Sequence, residues 1–175
     1  MLRGSLAYLA PLADADAQTL FSWINDRELL LSSAPYRPTH LPDHVEWFRT
    51  IRNRPDVAIF GIRRVADDCL VGSCQLHSIT QLHRSAELQI RIGRTDARGA
   101  GIGTEACTLL LHHAFNDLNL HRVSLHVFDT NERAIRLYAR IGFRVEGTLR
   151  ESAFIDGRWI NTVIMAVLRE EYQAA

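Results

Sequence analysis

The stretch Arg98-Gly99-Ala100-Gly101-Ile102-Gly103-Thr104 constrains this chain more than any other. It lies between an apolar, strand-like run at 88–93 and a helix-patterned run that begins near Gly103. Three glycines permit tight turns and let the backbone approach a ligand with no Cβ in the way. The helix start that follows leaves unpaired N–H groups and a partial positive charge facing the loop. Strand, glycine loop and helix start together make an anion site suited to phosphate. The implied ligand is a phosphorylated cofactor.

Spacing narrows the choice. A Walker A loop requires a Lys after its last glycine, and Gly103 is followed by Thr104. Gly101-Ile-Gly103-Thr-Glu-Ala106 has the form of a dinucleotide fingerprint. In that motif, however, the first glycine follows its strand almost directly, whereas Arg94-Thr-Asp-Ala-Arg98 intervenes here. The next segment supplies a better account. A strand at 122–128 is followed by Asn131-Glu-Arg-Ala134-Ile135-Arg-Leu137-Tyr138-Ala-Arg-Ile-Gly142-Phe143. The pair R-x-x-G-x-G and N-x-x-A-I-x-L-Y-x-x-x-G-F resembles the acetyl-CoA-binding core of the GNAT N-acetyltransferases. With Ala86-Glu87-Leu88 and the tail from Phe143 to Trp159, it resembles the branch of ribosomal-protein (RimJ/RimL-type) and polyamine acetyltransferases. The resemblance is strong over 87–168 and looser over 7–79.

The whole chain is consistent with such a domain. Its 175 residues suit one domain, 1–175, with a substantial core. Apolar content of 47% and charged content of 23% are those of an ordinary globular protein. Twenty basic residues balance twenty acidic ones, and the arginines are scattered, so no global field recruits nucleic acid. No apolar run is long enough to span a membrane and no secretory leader is visible, which reads as cytoplasmic. The three cysteines form no metal-like pair, and Cys107 falls on the apolar stripe of a helix.

Local patterns give the element order. Residues 6–9 read as a first strand, and Asp14 or Asp16 is placed to cap a helix over 15–25. Residues 30–39 read as a loop because of Pro35 and Pro38, and 41–52 as a helix with Pro42 in its first turn. Strands follow at 57–63, 70–79 and 87–92. After the glycine loop, Cys107, Leu110, Leu111, Ala114 and Leu118 share one helix face. His112 and His113 are adjacent on that helix and converge poorly on one ion, so no metal is expected. Asp129 to Glu132 starts a second helix and Gly142 stops it. Asp156-Gly157 is a hairpin signal joining strands at 148–155 and 158–168. The fold class is α/β (α+β), with a mixed, mostly antiparallel sheet. By resemblance, helices cover both faces, and the fourth and fifth strands splay into a cleft.

The resemblance also implies roles. Backbone N–H groups of Arg98, Gly99, Ala100, Gly101, Ile102, Gly103 and Thr104 would hold the pyrophosphate of acetyl-CoA, and Arg98 either adds a charged contact or shapes the loop. Main-chain groups of Ile90 and Ile92 would pair with the amide-rich pantetheine arm. Asn131 matches a residue that contacts that arm, or it caps its helix. Tyr138 matches the family's general acid, since a phenol with a pKa near ~10 is protonated at neutral pH. Glu87 is the leading proton acceptor, with His77, His83 and His126 as alternatives. Direct attack in a ternary complex is expected, because no Ser or Cys stands in a nucleophile elbow.

The acceptor wall would comprise residues 23–28, Tyr36, Trp47 and the hairpin at 154–159. The leading acceptor is a protein N-terminal α-amine; polyamines, aminoglycosides and amino sugars are alternatives, as is a non-catalytic acyl-CoA-binding module. The edge of the final hairpin can pair across a two-fold axis, so a homodimer is an open option.

Overall fold

A computed structural model describes residues 1–172. Eight strands form one sheet: β1 (Leu2–Arg3), β2 (Ala7–Ala10), β3 (Ala58–Arg64), β4 (Leu70–Thr80), β5 (Ser85–Ile92), β6 (Arg122–Phe128), β7 (Arg144–Ile155) and β8 (Arg158–Leu168). Their spatial order is β1-β2-β3-β4-β5-β6-β8-β7. Five α-helices accompany them: α1 (Asp16–Ile24), α2 (Arg27–Leu31), α3 (Leu41–Ile51), α4 (Ile102–His112) and α5 (Glu132–Arg140). Neighbouring strands are antiparallel except β5 and β6, which run parallel. This is the GNAT architecture expected from the motifs. The two-residue β1 was not foreseen, so the strands expected to splay are β5 and β6.

Their separation is visible in the register. Ser85, Ala86 and Glu87 pair with Arg122, Val123 and Ser124, and the pairing stops there. Beyond that point β5 follows β4 as far as Gly72 opposite Ile92, while β6 follows β8 as far as Phe128 opposite Thr162. Each strand keeps a full ladder on its outer side, so parting costs hydrogen bonds on the inner side alone.

The sheet is covered on both faces. Ala106, Cys107, Leu110, Leu111 and Ala114 of the α4 segment are fully buried against Leu76, Leu88, Val123 and Leu125. A smaller cluster on α1, α2 and α3 gathers Leu20, Trp23, Leu29 and Phe48 around Leu12. Alternation along β4 matches this division: Cys74 and Leu76 are buried in the α4 core, while Ser73, Gln75 and His77 are partly exposed.

Two helix starts differ from the sequence expectation. Neither Asp14 nor Asp16 caps α1, which begins after Ala15 with no side-chain cap. Asp16 is buried and paired with Arg63 at 2.8 Å, and Asp14 pairs with Arg52 at 2.8 Å. The loop expected from residue 30 is shortened by α2, which Asp26 caps by accepting from the Leu29 N–H. The α4 helix continues into a π turn over His113–Asp117 that carries Phe115 into the core. At the other elements the signals and the structure agree. Gly142 ends α5 at φ +103°, and Asp156 and Gly157 turn the β7–β8 hairpin with φ of +48° and +79°.

Glu105 in the first turn of α4 fastens the N-terminal strands. Its carboxylate accepts from the N–H groups of Ser5, Leu6 and Ala7 at 2.8, 2.8 and 2.6 Å, and from the Ser5 hydroxyl at 2.7 Å. Partial burial pushes its pKa up, but the bonds from Ser5, Ala7 and Leu6 outweigh that and hold the carboxyl below its usual range.

Gly93 ends β5 beneath the Trp23 indole, and a Cβ there would stand 2.1 Å from the ring. Gly147 has nothing within 4 Å of such an atom. Gly93→Ala is therefore expected to lose about 1–3 kcal/mol through overpacking, while Gly147→Ala stays within about 0.5 kcal/mol. Urea unfolding of the two variants checks the contrast.

Candidate active site

The parting of β5 and β6 opens a cleft of about 600 Å³. Its walls include Leu88 to Ile92 of β5, His126 to Phe128 of β6, the glycine loop, and one face of α5. Among the expected site residues, Ile90, Ile92, Arg98, Gly99, Gly101, Gly103, Thr104, Asn131 and Tyr138 line this cleft together. Ala100 and Ile102 belong to the loop but not to the lining, and the Ile102 side chain is buried in the core.

The loop has the geometry of an anion cradle. Gly99 and Gly101 adopt φ of +87° and +84°, where a Cβ would be strained. The Arg98 N–H is used by the Thr95 carbonyl, and helical bonding resumes with Glu105 N–H to Gly101 O. Between them, the N–H groups of Gly99 to Thr104 meet no acceptor among the described residues. Six consecutive free donors at a helix start fit a pyrophosphate. A Cβ on Gly103 would make only ordinary contacts with Leu137 and Ile92, at 3.6 and 3.7 Å. What its absence leaves open is therefore the cleft. The Arg98 guanidinium turns inward instead, donating to the Ile92 and Gly93 carbonyls at 3.3 and 3.4 Å, so it shapes the loop.

Three cations at this end escaped the sequence reading. Arg133, Arg136 and Arg140 of α5 all border the cleft. Arg136 is paired with Glu132, whereas Arg133 and Arg140 have no carboxylate partner among the described residues. Their spacing of three and four residues along α5 was the available signal. Asn131 does cap α5, accepting from the Ala134 N–H at 3.2 Å, and it also donates to the Ser32 carbonyl at 3.2 Å. It thereby ties α5 to the segment after α2, whose Ser32 and Ser33 also line the cleft unforeseen.

Tyr138 lies deeper, against Phe143 with ring centroids 5.7 Å apart. Only 8% of its surface is exposed, and its hydroxyl has no hydrogen-bond partner among the described residues. Burial, with a smaller contribution from the nearby Cys107, pushes its pKa well above the usual phenol range. The group is a proton donor held in its protonated form.

Glu87 is placed differently from the expectation. It does not border the cleft; His126 does, and the His126 Nδ1 lies 2.9 Å from the Glu87 carboxylate. His77 Nε2 approaches the same oxygen at 3.8 Å, beyond hydrogen-bond range, and His83 is exposed on the β4–β5 turn. The carboxylate orients an imidazole that faces the cleft, and the His126 Nε2 has no partner among the described residues. The parallel register that sets Glu87 opposite Ser124, two residues from His126, was not readable from sequence.

A second cavity of about 210 Å³ adjoins the cleft and shares Gln89, Ile90 and Arg91 with it. Trp23 and Ile24 of α1 and His44 and Trp47 of α3 roof it. Asp26 and Glu28, expected on this wall, are absent from its lining, and Asp26 is engaged as the α2 cap. Tyr36 and Trp159 are exposed away from it. His112 is exposed and His113 bonds Asp117 at 2.7 Å; among the described residues no group of three metal-ligating side chains is found.

Known proteins carry the same arrangement. A family model for the acetyltransferase (GNAT) domain matches residues 7–144. The chain is 36% identical over 115 residues to spermidine N(1)-acetyltransferase of Escherichia coli (strain K12), a match covering 64% of this chain and 61% of that protein. It is 32% identical over 165 residues to the Bacillus subtilis (strain 168) N-acetyltransferase YdaF, named for ribosomal targets, covering 94% and 86%. The crystal structure of spermidine N-acetyltransferase from Vibrio cholerae in complex with CoA and spermine superposes with a TM-score of 0.87 at 30% identity, covering 97% of this chain and 99% of that one. Spermidine enzymes stand beside YdaF among these relatives, so the RimJ/RimL branch implied by the tail motifs is not singled out. With the family match spanning most of its length, the chain belongs to the GNAT acetyltransferases, which use acetyl-CoA as co-substrate.

Proposed function

We propose that this protein transfers the acetyl group of acetyl-CoA to the primary amine of a small molecule. The observation that carries this is the 210 Å³ cavity beside the cofactor cleft, lined by Trp23 and Trp47. A cavity of that volume suits a compact acceptor. Likeness to spermidine acetyltransferases supports the same reading over the protein N-terminal amine first expected.

Acetyl-CoA supplies an activated thioester. The free N–H groups of Gly99 to Thr104 bind its pyrophosphate, and Arg133 and Arg140 add positive charge at the mouth. The edge of β5 that has lost β6, from Leu88 to Ile92, presents main-chain groups to the pantetheine amides. The incoming ammonium gives a proton to His126 Nε2, with Glu87 fixing the ring through Nδ1. Its free amine then attacks the thioester carbonyl; as the C–S bond breaks, the Tyr138 hydroxyl protonates the leaving sulfur, and the second proton of the attacking nitrogen restores the phenol.

Three outcomes follow from these roles. Gly103→Ala adds a methyl group that the protein tolerates but the cofactor does not. Its stability should hold, because Gly→Ala within a helix is favourable by about 0.5–1 kcal/mol, while the acetyl-CoA Kd rises about tenfold, a cost near 1.4 kcal/mol; calorimetry and thermal unfolding read the two. Tyr138→Phe should lower kcat about 10²- to 10³-fold with acetyl-CoA affinity kept within a few-fold. Because burial raises the Tyr138 pKa, its protonated, active form persists upward in pH, and wild-type kcat should show no loss from its ionisation up to about pH 10.

The third outcome separates the positioning residue from the base. His126→Ala should reduce kcat about 10²-fold, and Glu87→Gln, which keeps a hydrogen-bond acceptor for Nδ1, about tenfold or less. A larger loss in Glu87→Gln than in His126→Ala would assign the proton to Glu87. Steady-state thiol release with an amine panel measures each.

A further inference from the structure

The floor of the smaller cavity is polar in a specific way. In the antiparallel β4–β5 pair, Ser73 stands opposite Arg91 and Gln75 opposite Gln89, so the four side chains share one face. All four line the cavity, and none of its lining residues is Asp or Glu. Gln75 Nε2 donates to Gln89 Oε1 at 2.6 Å, which leaves the Gln75 Oε1 buried with no partner. The Arg91 Nε is likewise buried and unpartnered.

Arg91 is the exception among enclosed arginines. Arg63 is held by Asp16, Arg64 by Asp67 and Asp96, and Arg122 by Glu146. Arg91 has no ion pair or hydrogen bond among the described residues, although burial lowers its pKa and so disfavours its charge. A partly buried cation whose Nε has no partner is costly, and a ligand that completes it offsets that cost. A polyamine, cationic along its length, would meet repulsion here and no carboxylate.

We propose that Arg91 is a specificity-determining residue and that the acceptor is a small amine that also carries an anionic group. The guanidinium takes that group in a charge-assisted contact. The Gln75 amide oxygen accepts an N–H from the same molecule. The inference rests on the small-amine acetyltransferase reading and narrows its substrate class. Because a carboxylate and a phosphate present the same chemistry to an arginine, the probes must separate them.

The test uses three probe sets: the amino carboxylates from glycine to 6-aminohexanoate, O-phosphoethanolamine, and spermidine. Each is titrated calorimetrically into CoA-loaded protein and assayed for thiol release from acetyl-CoA. The expected result is binding and release with one anionic class, at least tenfold tighter than with spermidine. Arg91→Gln should raise the KM for that amine about 100-fold and shift the acetyl-CoA KM by less than threefold, with Arg91→Lys recovering part of the loss. Without any ligand, Arg91→Leu should raise Tm, since it removes a partly buried charge that no carboxylate among the described residues neutralises.

Turnover of spermidine in preference to every anionic amine would overturn the inference and leave the acetyltransferase reading standing. A loss of acetyl-CoA affinity instead of acceptor affinity in Arg91→Gln would overturn it too, by assigning Arg91 to the cofactor. Anionic amines that bind wild-type protein but not Arg91→Gln, with no thiol release, would sink the small-amine acetyltransferase reading and overturn the anionic amine as acceptor, leaving Arg91 as an anion-binding residue. Failure of every anionic amine to bind would remove the inference itself.

Discussion

The three-residue parallel contact between β5 and β6 is the constraint on which the site depends. Were the two strands paired to their ends, the main-chain edge of β5 from Leu88 to Ile92 would be satisfied and no cleft would exist. Were they not paired at all, nothing would hold Glu87 within reach of His126. The short contact therefore does two jobs at once. It fastens the base of the wedge where the proton-accepting pair sits, and it frees the edge where an amide-bearing ligand can add as a strand. The outer ladders to β4 and β8 keep the wedge open without an unsupported strand on either side.

Charge is distributed to match this geometry. Many arginines are neutralised locally by Asp or Glu, as Arg54 is by Asp56 and Arg94 by Asp96. Exposed pairs of that kind contribute little stability. The informative cations are those without partners. Arg133 and Arg140 flank a row of free N–H groups at the mouth of the cleft, and Arg91 stands in the adjoining cavity. Several of the unneutralised charges therefore stand along the path where two ligands would meet. Arg98, which the motif left as either a phosphate contact or a loop former, donates to the Ile92 and Gly93 carbonyls. It stabilises the shape of the loop whose backbone does the binding.

Much of the fold was legible in the chain because its signals are local. The glycine loop, the Asn131 cap, the Gly142 stop and the Asp156-Gly157 turn each act within a few residues, and each sits where the pattern put it. What was not legible depends on partners distant in sequence. Asp16 has the residue type and position of a helix cap, yet Arg63 on β3, brought close by the sheet, captures it. Asp26 caps a five-residue helix too short to show an apolar period. The same limit applies to the site. The cleft-lining residues of 90–104 and 131–138 follow one another along the chain, so motif order brought them together, whereas the His126–Glu87 pair is created by the register of β5 against β6. Arg91 carries no sequence signal of its own, because strand alternation alone does not reveal that Ser73, Gln75 and Gln89 surround it with no acid.

Similarity to known acetyltransferases and the chemistry of the acceptor cavity bear on different parts of the same strand. In the proposed reaction, main-chain groups of β5 and the glycine loop would serve the cofactor, and they depend on backbone geometry that many side chains allow. The face of β5 that carries Gln89 and Arg91 is free to vary without disturbing that backbone, because alternate residues of a strand point to opposite sides. A chain can therefore keep the cleft of its spermidine-acetylating relatives while presenting a different charge to the acceptor. In this one Arg91, and no acidic cluster, lines the cavity beside the cleft. Fold and cofactor are thus carried by the backbone, and the choice of amine by a few side chains on one face of two strands.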